Sequence, residues 1–284
     1  MLWVWWSVCS AFLLGLYDVA KKQALKRNGV LWVLLAATAM SAALTSPFLS
    51  AGPLTDHLRL VLKAALVATS WISGLQGLRL LPLTTVSTIK ASRPVFVVVF
   101  SIILFGERLN LLQWVGVLTV FAALWLLSRS SRKEGIRFKS SKGVLWMALS
   151  VVTGAASALY DKHILAGMQP LFVQSWTNLY ITALLALCAL VQYLRGPSEA
   201  PRFRWDWTLL LIAVLITASD ALYFFSVKQS DALLSVISMI RRGSAVVTFC
   251  LGAWIFKEHN IRDKAVSLAV LLAGIVALMV GSGI

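Results

Sequence analysis

The sequence predicts an all-α membrane protein with ten transmembrane helices in two inverted five-helix repeats. Three observations predict this fold: the composition, ten apolar runs of spanning length, and motifs that recur in the two halves. The 284 residues are 59% hydrophobic and only 13% charged, whereas a soluble domain carries roughly a quarter charged residues. So much apolar surface requires lipid around it, which excludes a soluble enzyme, a disordered chain and a nucleic-acid-binding protein.

Ten runs are long enough to span a membrane, because a crossing helix needs about 20 mostly apolar residues. We predict spans at 2–20, 30–50, 58–78, 83–105, 110–128, 143–165, 170–194, 207–227, 232–256 and 264–282. The first run begins with tryptophans and has no basic segment before it, so we interpret it as a membrane helix rather than a cleaved signal. Three cysteines fall within the runs, and we interpret them as small core residues: Cys9, Cys188 and Cys250.

The positions of lysine and arginine predict the orientation. Most of these residues lie in the joins that follow the odd-numbered spans, above all in the loop at 129–142. Basic loops favour the cytoplasmic side of the membrane. We therefore expect a multi-pass protein of the inner membrane, with this loop in the cytoplasm and both termini outside. The formal net charge of +15 is then explained by basic loops that contact an anionic leaflet.

Short motifs recur in the two halves of the chain. The tripeptide Leu-Tyr-Asp occurs at 16–18 and at 159–161, and Phe105-Gly106-Glu107 corresponds to Phe256-Lys257-Glu258. Arg93-Pro94 is matched by Arg242-Gly243. We therefore divide the chain into a first repeat at 1–128, a basic loop at 129–142 and a second repeat at 143–284. Because each repeat has five spans, the second is expected to be inverted in the bilayer, which is typical of transporters.

These features resemble the EamA family of the drug/metabolite transporter superfamily. The best marker is the run from Arg93-Pro94-Val95-Phe96 to Gly106-Glu107, and the resemblance covers essentially the whole chain. The second half departs from it at Gly243 and Lys257, which replace a proline and a glycine. The resemblance implies a ten-helix carrier with a central cavity lined mainly by helices 1, 3, 4, 6, 8 and 9. It leaves the substrate open, because members move amino acids, sugars, nucleotide precursors, choline-like cations and drugs.

Four basic residues lie within predicted spans, where each costs about 2.5–3.5 kcal/mol if it faces lipid. They are Lys90, Arg93, Arg241 and Arg242. One interpretation is a basic site for a substrate, since guanidinium and ammonium groups bind phosphate and carboxylate. The other is that they pair with acids inside the protein or extend to the interface. Trp71 and Tyr223 are candidates for the wall of the same cavity, although such residues are also common interfacial anchors.

Three aspartates also lie within or at the ends of spans: Asp18, Asp161 and Asp220. They could couple transport to protons, because carboxylates at lipid depth bind protons more readily. Alternatively they balance the nearby basic charges, and Asp220 is expected to pair with Arg241 or Arg242. Glu107 and Glu258 lie at helix joins, where we expect each to fix the turn or cap the next helix.

These observations predict a secondary transporter that moves a small polar, phosphate- or carboxylate-bearing metabolite by alternating access. One alternative is an exporter of amino acids or organic cations with Asp220 as the counter-ion. Another is a flippase of a phosphorylated lipid. The sequence has no phosphate-binding loop, ATPase domain or metal-ligand spacing, so we expect no enzyme activity, no cofactor and no metal. The expected partners are the small-molecule substrate and membrane lipid, without nucleic acid, and the protein is expected to be a monomer or a homodimer.

Overall fold

A computed structural model describes residues 2–96, 100, 109–165, 167–194, 203–228 and 240–281. They contain ten α-helices, whose bounds are α1 Leu2–Ala24, α2 Val30–Thr45, α3 Leu54–Leu80, α4 Leu83–Ala91, α5 Leu111–Arg132, α6 Lys142–Leu165, α7 Pro170–Leu194, α8 Trp207–Lys228, α9 Ser244–Phe256 and α10 Ile261–Gly281. A 3-10 turn at Ser46–Phe48 follows α2.

Seven of the described helices are long and apolar enough to cross a membrane. They are Trp3–Ala24, Val30–Phe48, Leu54–Leu80, Leu111–Arg132, Lys142–Tyr160, Leu171–Val191 and Ile261–Gly281, and the apolar stretch Trp207–Tyr223 is shorter. Many large apolar side chains are exposed on the outside of the bundle, among them Trp5, Leu111 and Trp254. A soluble monomer rarely exposes so much contiguous apolar surface, so this surface fits contact with lipid.

The prediction that the three cysteines are small core residues is wrong. All three cysteines are exposed at the surface of the helical bundle. In lipid the outer surface of a bundle is as apolar as its interior. An apolar run therefore does not reveal which of its residues face inward.

Several predicted boundaries shift, and at α3 and α5 they do so because hydrogen bonding continues past the apolar residues. α5 begins with a capping box in which Asn110 Oδ1 accepts from Gln113 N and Gln113 Oε1 accepts from Asn110 N, both at 2.9 Å. It continues to Arg132, four residues past the predicted end. The first turns of the 129–142 loop are therefore helical, and basic residues at a helix C-terminus are favoured by the helix dipole. α3 begins at Leu54 rather than at residue 58.

The fourth and ninth predicted spans are interrupted at corresponding positions. α4 ends at Ala91, Ser92 forms a turn, and residues 93–96 are helical again. Pro94 has no N–H to donate to the carbonyl of Lys90, which explains the interruption. In the second half Gly243 forms a turn between residues 240–242 and α9. Most of the remaining residues of the fourth predicted span, the start of the ninth, and Glu107 in the join after the fourth lie outside the described residues.

The most extensive helix contacts join the two halves of the chain. The pairs are α1–α8, α1–α9, α2–α7, α2–α8, α3–α6, α3–α7, α4–α9 and α5–α10. Small residues allow several of them to approach closely: a Cβ atom on Gly116 would lie 2.8 Å from the carbonyl oxygen of Gly274. Ser10 and Ser219 each donate to the other's carbonyl oxygen, and so do Ser70 and Ser150.

The two largest apolar cores among the described residues combine helices of both halves. One contains buried residues of α1, α2, α3, α7 and α8. The other contains buried residues of α4, α5, α9 and α10 together with Val95. Two smaller clusters, around Met147 and around Val173, also contain residues of both halves. Residues of both large cores line the cavity described next, among them Leu75 and Ala245.

Candidate substrate-binding site

Two adjoining chambers lie between the halves. The smaller has a volume of about 230 Å³ and is lined by residues of α1, α3, α4, α6, α8 and α9 together with Arg93 and Arg242. These are the six helices that the family resemblance implied. The larger, of about 840 Å³, is lined by α1, α2, α3, α6, α7 and α8 together with Arg93 and Arg241. Tyr17, Lys21, Ser70, Trp71 and Arg93 line both chambers.

Basic side chains outnumber acidic ones in these walls. Six basic residues line one or both chambers: Lys21, Lys63, Lys90, Arg93, Arg241 and Arg242. The acidic residues of the described walls are Asp18 and Asp220. All four basic residues singled out in the sequence therefore face this cavity rather than lipid. Trp71 lines both chambers, and Tyr223 lines the larger one.

Asp18 joins two lysines. Its Oδ1 lies 2.7 Å from Lys21 Nζ and 2.8 Å from Lys90 Nζ, and its Oδ2 accepts from Lys90 at 3.0 Å. Lys21 Nζ also lies 3.9 Å from the ring centroid of Tyr17. The contact to Lys90 links α1 to α4 and neutralises part of the basic charge. Lys22 turns away and donates to the carbonyls of Leu78 and Leu81 at the end of α3.

Asp220 pairs with Arg241, which confirms one of the two expected pairings. Arg241 Nη2 donates to Asp220 Oδ1, and the guanidinium carbon lies 4.3 Å from the ring centroid of Tyr223. Arg241 Nε is buried and has no hydrogen-bond partner among the described residues. The pair is therefore balanced in charge, and both of its residues line the larger chamber.

Arg93 and Arg242 differ from the other two basic residues. Within the described part of the chain, neither side chain forms an ion pair or a hydrogen bond. Arg93 lies against the backbone of α6, where a Cβ atom on Gly154 would be 2.5 Å from the guanidinium carbon. Arg242 lines the smaller chamber. These two guanidinium groups can therefore bind an anion without breaking an ion pair or a hydrogen bond to a described residue.

The prediction that Asp161 is a site residue stays a prediction. Asp161 lies on α6, but its side chain is outside the described part of the chain.

Polar side chains also line the walls of the two chambers. Ser87 and Ser244 lie beside the basic residues in the smaller chamber. Polar side chains also line the larger chamber, among them Asn178, Thr177 and Gln174.

A second cluster of polar and charged side chains was not predicted from the sequence. We call it the loop-end cluster, and it consists of Thr84, Glu134, Glu258 and Lys264. Lys264 is fully buried; its Nζ lies 2.7 Å from Glu134 Oε2 and donates to Thr84 Oγ1 at 3.2 Å. Glu258 accepts from the backbone N–H groups of Leu83 and Thr84, at 2.5 and 3.0 Å, and from Thr84 Oγ1 at 2.5 Å. Glu258 thus caps a helix, but it caps α4 in the other half rather than the helix that follows it.

The sequence carried only a weak signal for this cluster. Lys264 lies at the start of a predicted span. At such a position a lysine is normally interpreted as a loop residue near the membrane surface. Its partners lie far away in the chain, so spacing gives no indication of the contact. A lysine that opens a span otherwise free of charge is the one feature that points to it.

The comparison with protein families decides what kind of molecule this is. The model of the EamA-like transporter family matches residues 1–129 and again residues 141–280. The chain belongs to the EamA-like transporter family. This confirms the resemblance seen in the sequence and places the chain in the drug/metabolite transporter superfamily. As a member of the EamA-like transporter family, the chain is a multi-pass membrane protein and a transporter rather than an enzyme.

The other comparisons add the fold alone. No curated protein matches the chain. A solved structure titled "Crystal structure of protein" is similar, with a TM-score of 0.62 and 18% sequence identity. The similarity covers 94% of this chain and 96% of that chain.

Proposed function

We propose that this EamA-like transporter is a secondary carrier of a small polar organic anion, bearing phosphate or carboxylate, which it moves across the inner membrane by alternating access. The observation that carries the proposal is the pair Arg93 and Arg242. Both line a cavity between the halves, and within the described residues both lack an ion-pair partner. The driving force is an ion gradient or exchange.

The charge balance of the cavity supports an anionic cargo. Asp18 and Asp220 are already engaged by Lys21, Lys90 and Arg241. We assign these two aspartates a charge-balancing role. A charge within a membrane-spanning segment is costly without a partner, so these two half-buried guanidinium groups favour a ligand that supplies negative charge. Guanidinium groups bind carboxylate and phosphate through paired, charge-assisted hydrogen bonds.

The helix contacts support ten spans in two inverted repeats. Suppose that each helix is exchanged with its counterpart in the other half, so that α1 changes places with α6, and so on up to α5 with α10. The pair α1–α8 then becomes α3–α6, and the pair α2–α8 becomes α3–α7. The pairs α2–α7, α4–α9 and α5–α10 map onto themselves. A two-fold relation between the halves produces this pattern. Arg93 and Arg242 are counterparts under the same exchange, so we propose that the anion binds near the axis that relates the repeats.

The loop-end cluster supports alternating access. Glu258 and Lys264 from the second half contact Thr84 from the first half. Such contacts hold the halves together at the end of the bundle that carries the 129–142 loop, which we propose to be cytoplasmic. Opening the cavity toward that side requires the Glu258 contacts to α4 to break. Both termini would then lie outside, and reporter fusions at each terminus test this orientation.

The test is anion binding by the purified full-length protein. Arg93→Ala and Arg242→Ala are compared with wild type in thermal-shift titrations with inorganic phosphate and with acetate, and in uptake by proteoliposomes. Each substitution should weaken anion binding by about tenfold or more, because hydrogen bonds to charged groups contribute about 1.5–3 kcal/mol. Arg137→Ala in the exposed loop is the matched control and should behave as wild type. Unchanged binding and uptake in both cavity variants would refute the proposal.

A further inference from the structure

We infer that the cargo carries two negative charges at neutral pH, one held by Arg93 and Arg242 and the other within reach of Lys90. This inference rests on the proposed function, from which it takes the anionic cargo and the two arginines. It adds the charge of the cargo: a dianion, such as a dicarboxylate or a phosphate monoester, rather than a monoanion. These two classes have the same charge and differ in whether it lies on two groups or on one.

The smaller chamber has more positive charge than a monoanion can neutralise. Among the described residues of its wall, one is acidic and four are basic: Asp18, Lys21, Lys90, Arg93 and Arg242. The formal surplus is three positive charges around a space of about 230 Å³. A charge inside a membrane-spanning segment is costly without a counter-charge. A monoanion leaves a surplus of two positive charges in this wall, whereas a dianion leaves a surplus of one.

Asp18 cannot neutralise both of the lysines that it contacts. Its carboxylate carries a single negative charge, and the same oxygen lies 2.7 Å from Lys21 Nζ and 2.8 Å from Lys90 Nζ. These three side chains together therefore keep one net positive charge beside the chamber. This charge adds to those of Arg93 and Arg242, which form no ion pair with a described residue.

Lys90 is the lysine of this group that can contact the cargo. It exposes 27% of its side chain, whereas Lys21 exposes 7% and packs against the ring of Tyr17. An ammonium group has three N–H donors. Asp18 accepts from Lys90 with both carboxylate oxygens, at 2.8 and 3.0 Å. Within the described part of the chain, this leaves a third donor of Lys90 for an oxygen atom of the cargo.

The described wall of the larger chamber contains no acidic charge that would offset this surplus. Its acidic residue, Asp220, pairs with Arg241. Lys21 and Arg93 line this chamber as well as the smaller one. A cargo that extends from one chamber into the other therefore meets net positive charge at the junction between them.

The first experiment compares anions of similar size and unequal charge. Purified full-length protein is titrated by thermal shift with succinate and its monoamide, succinamate, and with methyl phosphate and dimethyl phosphate. A dianion of the class that the carrier accepts should bind about tenfold or more tightly than its paired monoanion, because it gains a further charge-assisted hydrogen bond. A preference in the carboxylate pair alone indicates charges on two groups, and a preference in the phosphate pair alone indicates both charges on one group.

The second experiment changes the charge of the wall in opposite directions. Lys90→Gln lowers the positive surplus by one, so the ratio of the affinities for dianion and monoanion should fall severalfold. Asp18→Asn raises the surplus by one, so the same ratio should increase. A folding defect would lower both affinities in each variant and would not shift this ratio in opposite directions. Lys139→Gln, in the exposed loop, is the control for loss of a lysine and should keep the wild-type ratio.

The two proposals fail in different ways. If the monoanions bind in a manner that depends on Arg93 and Arg242, but neither dianion binds more tightly, this inference is overturned and the proposed function stands. A ratio that Lys90→Gln and Asp18→Asn leave unchanged, or shift in the same direction, also overturns it. If none of the four anions binds, or if Arg93→Ala and Arg242→Ala bind them as wild type does, the proposed function itself is overturned.

Discussion

The loop-end cluster and the centre of the cavity handle buried charge in opposite ways. At the loop end, Lys264 is fully buried, pairs with Glu134 and donates to Thr84, while Glu258 caps α4. At the centre, Arg93 and Arg242 face the cavity without an ion-pair partner among the described residues. Both regions join the two halves of the chain. The paired charges of the loop-end cluster hold these halves together, whereas the charges without a partner are those that we propose bind the cargo.

The largest effect is expected at the loop end. Lys264→Ala leaves Glu134 without its partner and removes a donor from Thr84. Breaking a buried ion pair typically costs about 3–5 kcal/mol, so the apparent melting temperature of the purified protein in detergent should fall clearly. Lys139→Ala, in the exposed part of the loop, is the control. A melting temperature equal to that of wild type would contradict the structural role of the cluster, while Arg242→Ala should show no comparable loss.

A smaller effect is expected where Arg93 lies against α6. In Gly154→Ala the new Cβ atom would be 2.5 Å from the guanidinium carbon of Arg93, so the guanidinium must move. Since the flexible end of a side chain moves, stability should change little, but anion affinity should fall about tenfold, or about 1.4 kcal/mol. Titration with inorganic phosphate measures it. Gly167→Ala is the control, because nothing lies within 4 Å of the added Cβ; equal losses in both variants would argue against a specific effect on Arg93.

The sign of the cargo's charge is tested at Asp220. Asp220→Asn releases Arg241 from its ion pair, so binding of acetate or phosphate should be unchanged or modestly stronger. If the carrier instead exports an organic cation or an amino acid with Asp220 as the counter-ion, the same change abolishes transport. Uptake and efflux by proteoliposomes, measured with anionic and cationic compounds, separate these outcomes.

The smallest effect is a pH dependence outside the membrane, before α8. Asp206 Oδ1 accepts from the backbone N–H of Thr208 at 3.0 Å, and this bond, together with Arg27, lowers the pKa of Asp206 below its ordinary value of 3.8. Because the folded-state pKa is the lower one, the stabilisation is complete above 3.8 and is lost as the pH falls through the folded value. Wild type should therefore lose slightly more thermal stability on acidification than Asp206→Asn. Identical pH profiles would contradict the contribution of this cap.

Some helices could be predicted from the sequence because a helix that crosses the lipid needs about 20 apolar residues. Helices α6 and α7 lie close to their predicted runs, since an apolar run of about 20 residues has few alternatives to a helix. The interruption at Pro94 follows from the chemistry of that residue, which has no N–H to donate. The inward or outward direction of a residue could not be predicted, as the exposed cysteines demonstrate, because both faces of a membrane helix are apolar.

Parts of the site were readable for a related reason. A charge in an apolar run is costly, so the presence of Lys90, Arg93, Arg241 and Arg242 predicted a polar environment that the structure provides. Which of them are paired was not predictable. Lys90 forms an ion pair with Asp18 on α1, and Arg241 rather than Arg242 forms one with Asp220 on α8. Both contacts depend on how helices that are distant in the chain pack together.

By itself, the sequence determined that this chain is a helical membrane protein of the EamA-like type. It also determined that the chain has basic residues whose exposure to lipid would be costly. Composition and the cost of burying charge suffice for that, because they depend only on which residues are present. Only the tertiary structure decided that Arg93 and Arg242 face a cavity without an ion-pair partner in the described part of the chain, while Lys264 is buried among partners. Pairing requires side chains from helices far apart in the chain to lie within a few ångströms, and packing alone sets those distances.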